Sequence, residues 1–336
     1  MKTSNKITIT KIASESGVSI ATVSRILSGK GIVKPETKDR VLSTIERLEN
    51  EYGTTASLRN QTRNSIILLV AESDSPILTE FSTGLHEAAY AKGYQIVILD
   101  YLQIKNNFLE TFQSLAKTMP VAGLIMHNCY ESQEVMESIA VKYPVIIAFN
   151  SQFKSDAIST LYNDNYAACQ MLTQYLLSIG KRSFAIMSLN DDFRFSTDRE
   201  QGILDTLHEN NLDIPEEWMI HLPTLNIELA ANEMDMLLSR KERPDAVIAI
   251  NDVLAAACMK VALDHKLRIP QDIAITGFDN APISSMVIPN ITTMAQPARE
   301  IGIQSVNLLV EKLNNPNLPT KHLAFKNEFL VRQSTQ

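Results

Sequence analysis

Residues 9–28 have the sequence ITKIASESGVSIATVSRILS, which predicts two short helices joined by a tight turn. Apolar or small residues recur near helical spacing, so one face of each helix can be buried; they are Ile9, Ile12, Ala13, Val18, Val23, Ile26 and Leu27. Gly17 lies at the turn, where a left-handed backbone is cheap only for glycine. Ser19 follows and can cap the second helix. The pair is typical of a helix-turn-helix that reads the DNA major groove, although ordinary helical hairpins have the same pattern.

The second helix carries a set of residues outside its apolar stripe, at its N-terminal end: Ser19, Ile20, Ala21, Ser24 and Arg25. In a helix-turn-helix this part meets the base edges. Residues 1–63 contain 11 Lys and Arg and 6 Asp and Glu, which gives this segment a net charge of +5. The remaining residues contain 20 Lys and Arg and 32 Asp and Glu, so their net charge is −12. A basic head on an acidic body predicts a nucleic-acid-binding module. Phosphates would repel the body, so DNA contact should be confined to the head.

Length and composition limit the class of protein. A chain of 336 residues, 45% hydrophobic and 21% charged, is typical of a globular protein with two or more domains. The N-terminus lacks the apolar core of a signal peptide, and the apolar run at 66–71 is far too short to span a membrane. The three cysteines are scattered, and no Cys or His residues have metal-ligand spacing. We therefore expect a cytoplasmic protein without membrane contact, metal or cofactor.

The chain divides into a head, a linker and a long body. A third helix is predicted at 36–49, and Thr37 at its start could face a phosphate. The segment 51–64 is polar and predicts a hinge between a DNA-binding domain at 1–50 and a body at 65–336. Apolar runs in the body alternate with helical patterns, which predicts α/β structure with parallel sheets covered on both faces. The runs are 66–71, 94–99, 122–127, 145–149, 184–188, 246–250 and 273–278.

Two sheets fit this length better than one, and ligands of such folds bind beyond the carboxyl ends of the strands. Several of the predicted strands end in polar residues, among them Asp74, Asn150, Asn251 and Asp279. Any one of these can serve as a helix cap instead. As a series they favour a polar pocket for a small molecule.

These segments together resemble the lactose-repressor (LacI/GalR) family of bacterial transcription regulators. The resemblance covers essentially the whole chain, and its motifs are IASESGVSIATVSRIL, VKPETKDRV, FSTGLHEAAYAKGYQIVI, DNYAACQMLTQYLLSIGKR, AINDVLAAA, LRIPQDIAITGFDN and FLVRQST. It implies a periplasmic-binding-protein-like body of two doubly wound subdomains, with chain crossings near 160, 290 and 322. The N-subdomain is then expected at about 65–160 and 291–321, and the C-subdomain at about 161–290 and 322–336. The family also implies a homodimer, and no leucine-heptad tail for a tetramer follows Leu330.

The resemblance assigns DNA contacts by motif. Ile20, Ala21 and Arg25 take the base-reading positions, and the guanidinium of Arg25 suits a guanine. Thr8, Ser19, Ser24 and Thr37 can bond phosphates. This pattern implies a pseudo-palindromic operator with half-sites around a central CG step. Leu58 matches the leucine that family dimers wedge into the minor groove; alternatively, it packs against the body. The segment 49–58 lacks the family's Pro-Asn pair, so the hinge departs from the family pattern.

The resemblance also assigns effector contacts, to Asp74, Asn150, Arg199, Asn251, Asp279 and Gln296. Carboxylate, amide and guanidinium groups around a cleft suit the hydroxyls of a sugar. Arg194 beside Arg199 would favour an anionic ligand such as a sugar phosphate or sugar acid, while nearby Asp198 argues against one.

The predicted function is that of a transcription regulator whose operator affinity is set by a small sugar-like effector. Repression is the more frequent outcome in the family, and the sequence leaves open whether the effector induces or co-represses. A small-molecule receptor without DNA function is the alternative, against which the basic head argues. An enzyme is disfavoured, because the chain has no G-x-G-x-x-G after a strand, no phosphate-binding G-x-x-x-x-G-K and no G-x-S-x-G.

Overall fold

The computed structural model describes residues 9–28, 33–52, 64–71, 75–128, 131–149, 153, 155–190 and 194–336. The N-terminal head consists of α1 (Ile9–Ser16), α2 (Ile20–Ser28) and α3 (Pro35–Tyr52). Gly17 has φ +65°, and Ser19 Oγ accepts from Thr22 N at 3.1 Å, so the turn and the cap form as the sequence predicts. The three helices pack around Ile12, Ala13, Val23, Val41, Ile45 and Leu48.

Helix α3 extends past the predicted domain boundary at residue 50, and its last residue is Tyr52. No helix breaker occurs between Arg47 and Tyr52, and Gly53 is the first residue that disfavours further helix. The hinge expected at 51–64 therefore begins inside a helix. Residues 53–63, including Leu58, lie outside the described residues.

The body contains two six-stranded sheets. The first, sheet A, has the order β11-β5-β4-β3-β1-β2, and all its neighbouring strands pair in parallel. Its elements run from β1 (Ser65–Val70), α4 (Pro76–Ala91), β2 (Gln95–Asp100), α5 (Tyr101–Ile104), α6 (Phe108–Thr118), β3 (Val121–His127), α7 (Gln133–Ala140) and β4 (Val145–Ala148) to β5 (Ser159–Asn163). Helix α13 (Ala298–Asn314) and strand β11 (His322–Phe325) return to it.

The second sheet, sheet B, has the order β12-β10-β9-β8-β6-β7, and only β12 is antiparallel to its neighbour. Its elements are α8 (Asn165–Ser178), β6 (Phe184–Leu189), α9 (Arg194–Glu209), β7 (Met219–Leu222), α10 (Ile227–Leu238), β8 (Ala246–Ala249), α11 (Asp252–Asp264), β9 (Ala274–Asp279), α12 (Ile283–Met286), β10 (Thr292–Ala295) and β12 (Glu328–Leu330).

Each sheet is covered on both faces because its central strands carry buried apolar residues on both of their faces. In β1, Ile66, Leu68 and Val70 enter the cluster with α4 and α13, while Ile67 and Leu69 face the cluster with α6 and α7. Successive side chains of a strand point to opposite faces, so a continuous apolar run fills two cores. This confirms the predicted fold class.

The chain crosses between the two sheets three times, at Asp164, at Gln296–Pro297 and at 326–327. These crossings lie four to six residues beyond the expected positions near 160, 290 and 322, because β5, β10 and β11 belong to the sheet that precedes each crossing. The three strands are short and contain Thr, Ser or His, so they lack the continuous apolar run that marks the other strands. The subdomains comprise 65–163 with 298–325, and 165–295 with 328–336.

Candidate functional site

The head presents one exposed face on α2. Ile20, Ala21, Ser24 and Arg25 are exposed, whereas Val23 between them is buried against α1 and α3. Ile20 is 52% exposed, although it is a large apolar residue. Ile20 and Ala21 lie in the first turn of α2, whereas Arg25 lies in its last turn and not at the N-terminal end where the sequence pattern places it. An exposed isoleucine and an exposed arginine on this helix fit contact with base edges.

The predicted phosphate contacts are distributed around this face. Ser19 precedes α2 and is exposed, and its hydroxyl is already within 2.8 Å of the Thr22 hydroxyl. Thr37 lies half-buried in the first turn of α3. Thr8 lies outside the described residues. All of these DNA-contact roles stay predictions.

A cavity of about 20 Å³, room for about one water molecule, lies where the carboxyl ends of the two sheets face each other. A ligand the size of a sugar therefore fits here only if the two sheets move apart. Parallel strands of both sheets converge on it, which is where ligands bind in such folds. The cavity is narrow and mixes amides, one ion pair and apolar side chains. Its lining consists of Ser75, Ile77, Asn128, Phe149, Asn163, Asn165, Phe195, Arg199, Leu225, Asn251, Asp279 and Gln296.

Arg199 of α9 is the central cation of the cavity, and each of its three guanidinium nitrogens donates to the protein. Nε donates to Asn165 Oδ1 at 3.0 Å, Nη1 to the Ile250 carbonyl and Nη2 to Asp279 Oδ1 at 3.4 Å. The guanidinium also lies 3.6 Å from the ring centroid of Phe278, a cation–π contact. The side chain is therefore held in one position, and its charge is compensated.

Asp279 ends β9 and is tied to the second crossing. Gln296 Nε2 donates to its Oδ1 at 2.5 Å. Burial raises the pKa of Asp279 above its usual value, while Arg199 and Gln296 oppose this rise. The carboxylate thus links sheet B, α9 and a crossing between the subdomains.

Non-glycine residues with left-handed backbones cluster at the strand ends around the cavity. Asn128 (φ +50°) follows β3, Phe149 (φ +62°) follows β4, and Asp279 and Asn280 (φ +104° and +57°) end β9. Such conformations cost about 1–3 kcal/mol each and persist where the surrounding structure enforces them, often at ligand sites. Three of these residues line the cavity, so the strain coincides with the candidate site.

The structure brings together four of the residues predicted for the effector: Arg199, Asn251, Asp279 and Gln296. Asn251 is also a helix cap, because its Oδ1 accepts from Leu254 N at 2.8 Å at the start of α11. Asp74 and Asn150 lie outside the described residues, and so does the side chain of Arg194, which begins α9. The effector roles of all seven residues stay predictions.

Sequence reasoning missed the other eight lining residues, which are Ser75, Ile77, Asn128, Phe149, Asn163, Asn165, Phe195 and Leu225. Asn128 directly follows a predicted strand, so the polar strand-end pattern could have found it. Asn163 and Asn165 flank the first crossing, and they were missed because β5 has no continuous apolar run.

Below the cavity, Asp252 at the start of α11 is buried and holds the turn after β9. Its Oδ2 accepts from Ala281 N at 2.6 Å. Burial, and secondly the nearby carboxylate of Asp279, raises the pKa of Asp252 to about 8. A neutral carboxyl group at this position thus avoids a second buried negative charge beside Asp279.

The raised pKa of Asp252 predicts a pH-dependent stability. Between about pH 4 and pH 8, Asp252 holds a proton in the folded chain that it releases in the unfolded chain. The contribution of Asp252 to the free energy of unfolding therefore falls as pH rises, by at most about 1.4 kcal/mol per pH unit. We expect Asp252→Asn to lose less thermal stability than wild type between pH 5.5 and pH 8. Thermal unfolding at both pH values measures this, with Asp264→Asn on the exposed side of α11 as the control. Equal pH dependence of wild type and Asp252→Asn would contradict the prediction.

No helix in the described part of the chain is both long and apolar enough to cross a membrane. Within the same residues, no group of three or more His, Cys, Asp or Glu side chains is arranged to hold a metal ion.

Comparisons with known proteins match both parts of the chain. The model of bacterial regulatory proteins of the lacI family matches residues 8–51, and that of a periplasmic binding protein-like domain matches residues 173–335. The NTD biosynthesis operon regulator NtdR of Bacillus subtilis (strain 168) is 29% identical, over 98% of this chain and 99% of its own. The ribose operon repressor of Halalkalibacterium halodurans is 27% identical, over 98% of this chain and 97% of its own.

Among solved structures, an uncharacterized protein from Actinobacillus succinogenes is 26% identical with a TM-score of 0.73, covering 82% of this chain and 100% of that chain. The two family models cover the head and much of the body. Both curated relatives match almost over their full length, and both are named as an operon regulator or repressor. The head, the two-sheet body and these matches agree with the resemblance stated from the sequence: a head that matches the lacI family of bacterial regulatory proteins is joined to a periplasmic binding protein-like body.

Proposed function

We propose that the protein is a DNA-binding transcriptional repressor whose affinity for its operator is controlled by a small neutral, sugar-like effector. The observation that carries this proposal is the presence of two sites in one chain. A basic three-helix head has an exposed face for DNA, and a strained polar cavity lies at the crossings between two subdomains. A receptor without DNA function would have no use for the first site.

The DNA contact follows from the chemistry of α2. Arg25 can donate two hydrogen bonds to a guanine, and Ile20 can contact a thymine methyl group. Helix-turn-helix proteins bind as dimers to two half-sites, so a homodimer on a pseudo-palindromic operator fits this head. Such a protein acts where the DNA is, in the cytoplasm.

The cavity favours a neutral effector over an anionic one. All three guanidinium nitrogens of Arg199 already have protein acceptors, and Asp279 compensates its charge. The remaining polar groups are mainly amides, which pair with hydroxyls as donors or acceptors. Phe149 and Phe195 add apolar surface for the C–H face of a ring. These features suit a sugar better than a sugar phosphate.

Control of DNA binding would arise from a change in the angle between the subdomains. Asp279, Gln296 and Asn165 lie at or beside the crossings, so a ligand that contacts them acts where the subdomains join. By linkage, a ligand that changes operator affinity by some factor has its own affinity changed by the same factor when DNA is bound.

The first experiment is selection of bound duplexes from a palindromic DNA library, at 50 mM and 200 mM salt, with and without neutral monosaccharides and sugar phosphates. We expect site-specific binding that weakens steeply with salt and shifts with one neutral sugar. Specific binding that shifts only with a sugar phosphate would overturn the neutral-effector proposal. Sugar binding with no specific DNA binding in any condition would favour the receptor alternative.

A further inference from the structure

A continuous row of hydrogen bonds runs from Arg199 to the third crossing. Arg199 Nε donates to Asn165 Oδ1 at 3.0 Å, and Asn163 Nδ2 donates to the same oxygen at 3.3 Å. Asn163 Nδ2 also donates to Asn327 Oδ1 at 3.1 Å, and Asn327 Nδ2 donates to the Asp164 carbonyl at 3.3 Å. The row therefore joins the cavity to the first and third crossings between the subdomains.

The orientation of every amide in this row is determined by Arg199. A guanidinium has only donors, so Asn165 must turn its oxygen toward Nε. The group of Asn163 that faces this oxygen must then be its NH₂ group, which in turn requires the oxygen of Asn327. Amide orientations are otherwise ambiguous, but here the network permits only one.

This orientation leaves Asn163 Oδ1 as an acceptor with no hydrogen-bond partner among the described residues. The side chain is 1% exposed and lines the cavity. A buried acceptor without a partner is costly, so such a group needs an explanation. Rotation of the amide would not relieve it, because the oxygen would then face Asn165 Oδ1.

We propose that Asn163 is an effector-contact residue that accepts a hydrogen bond from one effector hydroxyl through Oδ1, while its Nδ2 joins the cavity to the third crossing through Asn327. The inference rests on the proposed function and adds a requirement for a hydroxyl donor at one position of the sugar. Asn327 itself does not line the cavity, so its role is to position Asn163 and to link the crossings.

The test measures binding of neutral aldopentoses and aldohexoses, including D-ribose, and of the monodeoxy analogues of each sugar that binds, by titration calorimetry with the full chain. Wild type should bind one monodeoxy analogue about tenfold or more weaker than the parent sugar, because the missing hydroxyl leaves Asn163 Oδ1 without a donor. In Asn163→Ala, that analogue and its parent should bind equally, whereas the other deoxy positions keep their effects. A merely structural role would weaken all of these ligands alike.

Asn327→Ala tests the link, and Asn317→Ala, at an exposed asparagine beyond α13, is its matched control. We expect Asn327→Ala still to bind the same monodeoxy analogue more weakly than the parent sugar. The sugar should change the logarithm of this variant's operator affinity by at most half as much as in wild type. The control should retain both. An unchanged sugar effect on operator binding in Asn327→Ala would overturn the link.

The outcomes separate this proposal from the proposed function. If a sugar binds and Asn163→Ala still rejects the same deoxy analogue, the contact is wrong and the effector class stands. If no sugar binds wild type, both the effector class and the contact are wrong, while operator binding still tests the DNA function. Should Asn163→Ala fail to fold, Asn163→Ser replaces it, since a serine hydroxyl is too short to occupy the same position.

Discussion

Replacing Arg25 by alanine is expected to weaken operator binding by about 5- to 150-fold per half-site and to relax the preference at one base pair. Arg25 is exposed on the same face of α2 as Ile20 and Ala21, and Val23 anchors that helix in the head core. Its bidentate geometry matches guanine, and alanine removes both donors without disturbing the buried face.

Arg40→Ala is the matched control for Arg25→Ala, since Arg40 is exposed on α3 and its loss removes the same charge from the same head. Both variants lower the net charge of the basic head by one, so both should reduce the salt dependence of binding. Only Arg25→Ala should change the selected base sequence. A changed preference in both variants, or in neither, would contradict the base-reading role of Arg25. Selection from a DNA library at two salt concentrations measures both quantities.

Replacing Arg199 by alanine should destabilise the body by about 3–5 kcal/mol, because it leaves the Asp279 carboxylate buried without its cation. The two side chains are only 4% and 9% exposed, so water cannot substitute for the lost partner. The variant also loses the donor that orients Asn165. We therefore expect that the effector no longer changes the operator affinity of this variant.

The destabilisation caused by Arg199→Ala should depend on pH. Burial raises the pKa of Asp279 and Arg199 opposes this, so removing Arg199 lets the pKa rise further. A protonated Asp279 carries no buried charge, and the loss of thermal stability should thus be smaller at pH 5 than at pH 8. Thermal unfolding at both values tests this, with Arg268→Ala as the control for an exposed ion pair, where a small change is expected. A loss as small as that of the control at both values would contradict the prediction.

Much of the head and of the central strands could be predicted from the sequence because the signals are local. Gly17 at the turn, Ser19 before α2 and the spacing of Val23 and Ile12 specify the two helices through backbone freedom, capping and periodicity. The run at 66–71 likewise specifies a strand buried on both faces.

The strands next to the crossings were less predictable. β5, β10 and β11 form because neighbouring strands supply their hydrogen bonds, and their own residues carry little apolar pattern. The crossings consequently lie four to six residues later than expected, and the residues beside them, Asn163 and Asn165, were missed as lining residues.

By itself, the sequence determined the architecture: a basic helix-turn-helix head, an α/β body with two sheets, and polar residues at strand ends such as Asn251 and Asp279. Only the tertiary structure decided how those residues combine. Arg199, Asp279 and Asn163 are far apart along the chain. Arg199 bonds Asp279 directly and is joined to Asn163 through Asn165, and these contacts depend on crossings between the sheets that no local pattern encodes. Helical and strand periodicity arise from neighbours in sequence, whereas compensation of a buried charge and the orientation of an amide arise from neighbours in space.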